Sequence, residues 1–291
     1  MQAKIPASRI IDLPRSEGAV RLFLGLPTGD PPPAGWPLLV VLDGNRTFPL
    51  AVYSARTQAL RPVLTHVEPA IVLGVGYADE SAVGLSRTRD LTPPAPPERL
   101  RPRPNGRPWS EIGGAPAFLD FLRDEILPRI GSDYPVDTER LSLFGHSLGG
   151  LFALHTVFTD PGLFRCVIAS SPSLWFGDGI VTDALPGLGA RLARAGGRRG
   201  LMLSVGSEEQ RVPPERAEAV GAAYVAWVAG NRMVDNVTEL AARLRPREAD
   251  GLDLTFRVWP DETHVTAPAV AMGQGVRLAL RPVSSTSRGL S

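Results

Sequence analysis

The sequence predicts an α/β fold with a mostly parallel central sheet flanked by helices. Three observations carry that expectation. Short runs such as 37–44, 70–77 and 164–170 are nearly continuous in apolar residues, as strands covered on both faces are. Stretches with apolar residues at helical spacing separate those runs. Gly, Pro and Asp punctuate the strand ends, for example at Asp43-Gly44. A length of 291 residues without an internal repeat fits one domain over 1–291, carrying an insertion at about 87–108.

In chain order, Arg9–Leu13 and Ala19–Leu26 read as two early strands split by a turn at 14–18. A loop with three successive prolines leads to the apolar run 37–44, and 48–60 has helical spacing before the strand 70–77. The segment 87–107 carries six arginines (Arg87, Arg89, Arg99, Arg101, Arg103, Arg107) against Asp90 and Glu98, and is dense in proline. Its proline content argues against a helix or a central strand. It reads either as a solvated insertion or as a basic rim over a pocket for an anionic substrate, with Arg87 and Arg89 nearest the strand end. A helix is expected over 113–128, its apolar face made by Phe118, Leu119, Leu122, Ile126 and Leu127. Strands at 141–144, 164–170, 198–205 and 252–259 follow, with helices at 214–228 and 234–244 and a last helix after 264.

Composition narrows the function. The net charge of +1 gives no global field for nucleic acid or an acidic membrane surface. The single cysteine, Cys166, excludes a disulfide framework and a cysteine-based metal site. Of 31 basic residues only Lys4 is lysine, a bias that fits a GC-rich genome. The first residues lack an apolar core of the signal-peptide type, and no run nears the roughly 18 apolar residues of a membrane span. A soluble, cytoplasmic protein needing neither metal nor cofactor is expected, its oligomeric state left open.

The chemistry centres on Gly145-His146-Ser147-Leu148-Gly149, a G-x-S-x-G placed between a strand and an apolar helix. That context lifts a serine onto a sharp turn above a parallel sheet; the plain alternative is a helix-capping serine. A serine hydroxyl needs a base. Of four histidines, His146 adjoins the serine and should point away, His155 lies two turns up the helix, and His66 sits at the wrong end of the sheet. His264, just past the last strand, matches the order serine, acid, histidine. The acid should follow the penultimate strand, at Glu208 or Glu209, with Asp235, Asp261 and Glu262 as alternatives, or no acid at all. The backbone N–H groups of Leu148 and Asn45 are the expected oxyanion donors.

The chain resembles the esterase branch of the α/β-hydrolases, and within it the catecholate-siderophore esterases that cleave enterobactin- or bacillibactin-type trilactones. The resemblance rests on 42–45, 87–93, 113–115 with Phe118, 145–152, Phe164 with 170–175, and 205–209, in that order. It implies Ser147 as nucleophile, His264 as base, Glu209 rather than Glu208 as acid, Asn45 and Leu148 as oxyanion donors, and Trp175 beside the acyl pocket. Glu262-Thr-His-Val-Thr266 departs from the Gly-His-Ser common in relatives, and the 93–108 stretch stands where substrate shape would be read. The expected activity is serine carboxylester hydrolysis through an acyl-enzyme, on a siderophore whose negative charge faces Arg87 or Arg89. Acyl transfer, a thioesterase, and a non-catalytic binding protein are the alternatives.

Overall fold

The computed structural model of the protein describes residues 4–109 and 111–282. Eight strands form one sheet: β1 (Ser8–Leu13), β2 (Val20–Gly25), β3 (Trp36–Leu42), β4 (Ile71–Tyr77), β5 (Val136–His146), β6 (Cys166–Ser170), β7 (Arg199–Gly206) and β8 (Leu252–Trp259). Their spatial order is β1-β2-β4-β3-β5-β6-β7-β8. Only β2 runs against the others, pairing antiparallel with β1 and β4, while β4 through β8 are parallel. With helices on both sides of that sheet, this is the α/β-hydrolase fold.

The helices are α1 (Gly44–Ala59), α2 (Pro62–Thr65), α3 (Val83–Leu91), α4 (Ala115–Phe121), α5 (Leu127–Asp133), α6 (Leu148–Thr159), α7 (Leu188–Ala195), α8 (Pro214–Val220), α9 (Ala222–Asn231), α10 (Met233–Leu244) and α11 (Ala267–Ala279). Alternation along each strand divides the core between two faces. Leu39 and Val41 of β3 point at α1 and α11, where Phe48, Val52, Met272 and Val276 close one layer. Leu38, Val40 and Leu42 point the other way, toward α4, α6 and α10. Helix α6 is buried almost all round, so its apolar residues form no stripe. Each large apolar side chain buried in this way contributes about 1.5–3 kcal/mol.

Three expectations change. Residues 87–91 are not part of an irregular insertion but the last turns of α3, which ends at Leu91 ahead of Pro93. Proline restricts only what lies just before it, and arginine is a good helix former, so the arginines upstream stay helical. The helix expected to stop at 128 continues through Pro128 to Asp133. A π turn at Leu122–Ile126 widens the helix there, so the proline ring and its missing N–H are accommodated. Between β6 and β7 lies an unanticipated helical stretch, a 3-10 run over Phe176–Gly187 continuing into α7. Gly177, Gly179 and Pro186 interrupt its periodicity.

Candidate active site

The site forms along the carboxyl ends of β3, β5, β7 and β8. Strand β5 lies inside the sheet and carries the serine at its end. The register sets His146 against Ser170 of β6, and the Ser147 N–H donates to the Ser170 carbonyl at 3.0 Å. Ser147 then takes φ 61°, ψ −118°, a backbone region hostile to a side chain, and opens α6 directly. The turn is possible because Gly145 lacks a Cβ; one there would overlap the Gly149 carbonyl. Ser147 stands at the cap position of α6 yet makes no capping hydrogen bond. Its Oγ instead lies 2.9 Å from His264 Nε2 and 3.3 Å from Ser173 Oγ.

His264 follows β8, in the loop 260–266. Its Nδ1 lies 2.6 Å from Glu209 Oε2. The other Glu209 oxygen accepts from Ser171 Oγ at 2.5 Å and from the Gly206 N–H at 2.7 Å, so this buried carboxylate is fully bonded. Ser171 reaches it from a left-handed backbone, φ 44°. The loops bearing acid and base are tied together: Ser207 N–H donates to Trp259 O, Glu208 N–H to Glu262 O, and Asp261 N–H to Ser207 Oγ. Glu208 turns outward to Arg211, and Asp235 accepts from Gln210, so neither meets His264. The His264 ring is 42% exposed, open to a substrate, while its carboxylate partner is sealed away.

The Leu148 and Asn45 N–H groups, in the first turns of α6 and α1, donate to no acceptor among the described residues. Helix N-termini favour negative charge, so two free donors there suit a developing oxyanion. Asn45 has a further role that its sequence position does not betray. Its side chain donates to Tyr77 O at 3.0 Å and accepts from Tyr77 N–H at 2.8 Å, clamping α1 to the end of β4. Gly76 leaves the room for that amide.

Arg87 and Arg89, expected to face the substrate's charge, each pair with a carboxylate of the chain itself. Arg87 grips Asp43 through Nε at 2.5 Å and Nη2 at 3.0 Å, and reaches the His146 carbonyl at 3.5 Å. Its charge is spent joining the β3 loop to the nucleophile turn. Arg89, with Arg15, surrounds the buried Asp90 and also nears Glu111. Burying the Asp90 carboxylate demands such partners. His146, expected to point away, makes no bond to Ser147, but its ring lies 4.7 Å from that of His264. Burial, then the neighbouring His264 and Arg87, push its pKa down to about 3, so it stays a neutral imidazole bonded to Ser170 Oγ. Trp175, two residues beyond Ser173, stands among Trp109, Phe176 and Trp227. Ser171, Ser173 and His146 are site residues that sequence reasoning did not assign. Cys166 is buried, and burial pushes its thiol up to about 11. Among the described residues no group of His, Cys, Asp and Glu is placed to hold a metal, and no helix is long and apolar enough to cross a membrane.

The pattern of the family described as "Putative esterase" matches residues 15–237. The chain belongs to that family. This esterase is 33% identical over 261 residues to the "Ferri-bacillibactin esterase BesA" of Bacillus subtilis, covering 90% of this chain and 84% of that protein. It is 35% identical over 216 residues to the "Siderophore triacetylfusarinine C esterase" of Aspergillus fumigatus, 72% of this chain and 69% of the relative. Among solved structures, the BES protein from Bacillus cereus superposes with a TM-score of 0.84 at 30% identity, over 96% of this chain and 98% of that one.

Proposed function

We propose that the esterase hydrolyses the ester backbone of a catecholate siderophore, through an acyl-enzyme on Ser147. The observation that carries the reading is the unbroken relay from Glu209 through His264 to Ser147, with contacts of 2.6 and 2.9 Å. His264 Nε2 takes the hydroxyl proton as Ser147 Oγ attacks the ester carbonyl, and Glu209 holds the Nδ1–H and stabilises the imidazolium. The tetrahedral oxyanion is received by the N–H groups of Leu148 and Asn45. The imidazolium then protonates the departing alkoxide, and water activated by the same base releases the acid.

A siderophore ester is supported by relatives named for such esters over most of their length, and a catecholate one by the bacillibactin of the first. Purified protein should cleave a catecholate trilactone and p-nitrophenyl butyrate, and Ser147→Ala should abolish both. A fluorophosphonate should label the wild type and leave that variant unmodified. Retained turnover in Ser147→Ala would overturn the mechanism. Turnover of p-nitrophenyl butyrate without any trilactone cleavage would overturn the substrate.

A further inference from the structure

Strand β6 ends at Ser170, and the residues that follow wrap the nucleophile turn. The Ser147 N–H donates to the Ser170 carbonyl at 3.0 Å, and the Ser147 carbonyl accepts from the Ser173 N–H at 3.1 Å. The Ser173 carbonyl in turn accepts from Phe176 N–H at 3.0 Å. Ser173 is thus held by both of its backbone groups, and it is only 1% exposed.

A hydroxyl buried in this way needs an acceptor for its proton. Among the described residues the one hydrogen bond of Ser173 Oγ is the 3.3 Å contact to Ser147 Oγ. The relay decides which serine donates. Glu209 meets His264 Nδ1 as a carboxylate, which only accepts, so the ring proton sits on Nδ1 and Nε2 is an acceptor. Ser147 has a single hydroxyl proton, and it points at Nε2 across 2.9 Å. Ser147 Oγ therefore receives the Ser173 proton and does not donate to Ser173.

We propose that Ser173 is a further catalytic residue, whose hydroxyl stabilises the negative charge that gathers on Ser147 Oγ while the bond to the acyl carbon forms and breaks. The inference rests on the proposed acyl-enzyme reaction. At attack the Ser147 proton passes to His264 Nε2, an Oγ lone pair bonds the ester carbon, and the carbonyl π pair moves onto its oxygen. When the acyl-enzyme is hydrolysed the C–Oγ bond breaks, its electron pair returns to Oγ, and Nε2 gives the proton back. Ser173 keeps its own proton throughout. At 3.3 Å its bond is longer than the usual spacing of about 2.7–2.8 Å, hence weak toward a neutral hydroxyl. Charge on Oγ shortens and strengthens it. A contact that is stronger in the transition state than in the ground state speeds the reaction, and an equal one does not.

The test compares Ser173→Ala, which removes the hydroxyl, with Ser173→Cys, which fills the same space with a weak donor. Hydrolysis of p-nitrophenyl butyrate is measured beside the second-order rate of fluorophosphonate labelling, in which Ser147 Oγ forms its bond and fluoride leaves. Both variants should lose about tenfold in kcat and in labelling rate, with KM within about twofold of wild type. Melting curves check the fold, and the Cys variant carries the test should Ala fail to fold. Wild-type rates in Ser173→Cys would show that the site needs volume and not a donor, and would overturn the proposal. A loss confined to KM would overturn it too. In both cases an inactive Ser147→Ala leaves the relay standing. Turnover in Ser147→Ala would bring down the acyl-enzyme reading and this inference together.

Discussion

Replacing Glu209 by glutamine removes one charge and leaves the shape, and the surrounding bonds determine how the new amide orients. In the wild type one oxygen accepts from Gly206 N–H and Ser171 Oγ, the other faces His264 Nδ1. A glutamine amide placed with its oxygen toward His264 would set its NH2 against the Gly206 N–H, a donor facing a donor. An unpaired buried donor costs about 1–3 kcal/mol, and the Gly206 backbone cannot turn away. The amide therefore settles with its NH2 on Nδ1, which drives the ring proton to Nε2. That tautomer donates to Ser147 and cannot take its proton. The expected fall in kcat is about 1,000- to 10,000-fold, or roughly 4–5.5 kcal/mol of barrier. Steady-state hydrolysis of p-nitrophenyl butyrate measures it, with a melting curve to show that the variant is folded. Glu208→Gln, which weakens contacts to exposed Arg211 at 3.2 Å and to Ser207 Oγ at 3.1 Å, should stay within about twofold. A Glu209→Gln enzyme keeping more than a tenth of wild-type kcat would refute the relay.

Asn45→Ala loses both bonds to Tyr77, so the oxyanion N–H drifts: kcat should drop by about ten- to a hundredfold with little change in KM, and equal loss in both parameters would contradict it. Arg89→Ala takes one cation from buried Asp90 while Arg15 stays; denaturant titration should show a loss of about 1–2 kcal/mol, with kcat/KM on a trilactone unaltered. His146, with its folded pKa near 3 against about 6.5 unfolded, binds fewer protons in the native state between those values. Stability should therefore fall as pH drops below about 6.5, by up to about 1.4 kcal/mol per pH unit. His146→Gln should flatten that dependence in melting curves taken from pH 7.5 to 5, and parallel curves for the two proteins would remove the assignment.

What could be read from the chain depended on how local the signal was. The nucleophile turn is written within a dozen residues, because strand, glycine turn and buried helix are consecutive. His264 was legible by elimination and by its place after the last strand. The choice between Glu208 and Glu209 was not a local matter. Ser207, Glu208 and Glu209 leave the strand in a turn, and the Ser207, Glu208 and Asp261 N–H groups that pin it bond across to or from the β8 loop. Ser171 escaped notice for the same reason, since its bond to Glu209 spans 38 residues. That Arg87 and Arg89 pair with carboxylates of the chain is not legible in the arginine-rich run itself. The partners, partly buried Asp43 and buried Asp90, lie on another segment or one residue away. A charge's role depends on what lies opposite it in space, and an arginine count carries none of that.

The strand order has a consequence for how such an enzyme fails. Ser147 stands at the end of β5, well inside the sheet, whereas His264 hangs from the loop after β8, whose outer side has no neighbouring strand among the described residues. Edge elements open with lower free energy than the interior, in cooperative units smaller than the whole molecule. The base can thus swing off while nucleophile and hydrophobic layers persist, and cooling restores it. Heat would silence the enzyme reversibly before melting it. Amide protection at β8 would track the silencing, while β5 would report only the later collapse.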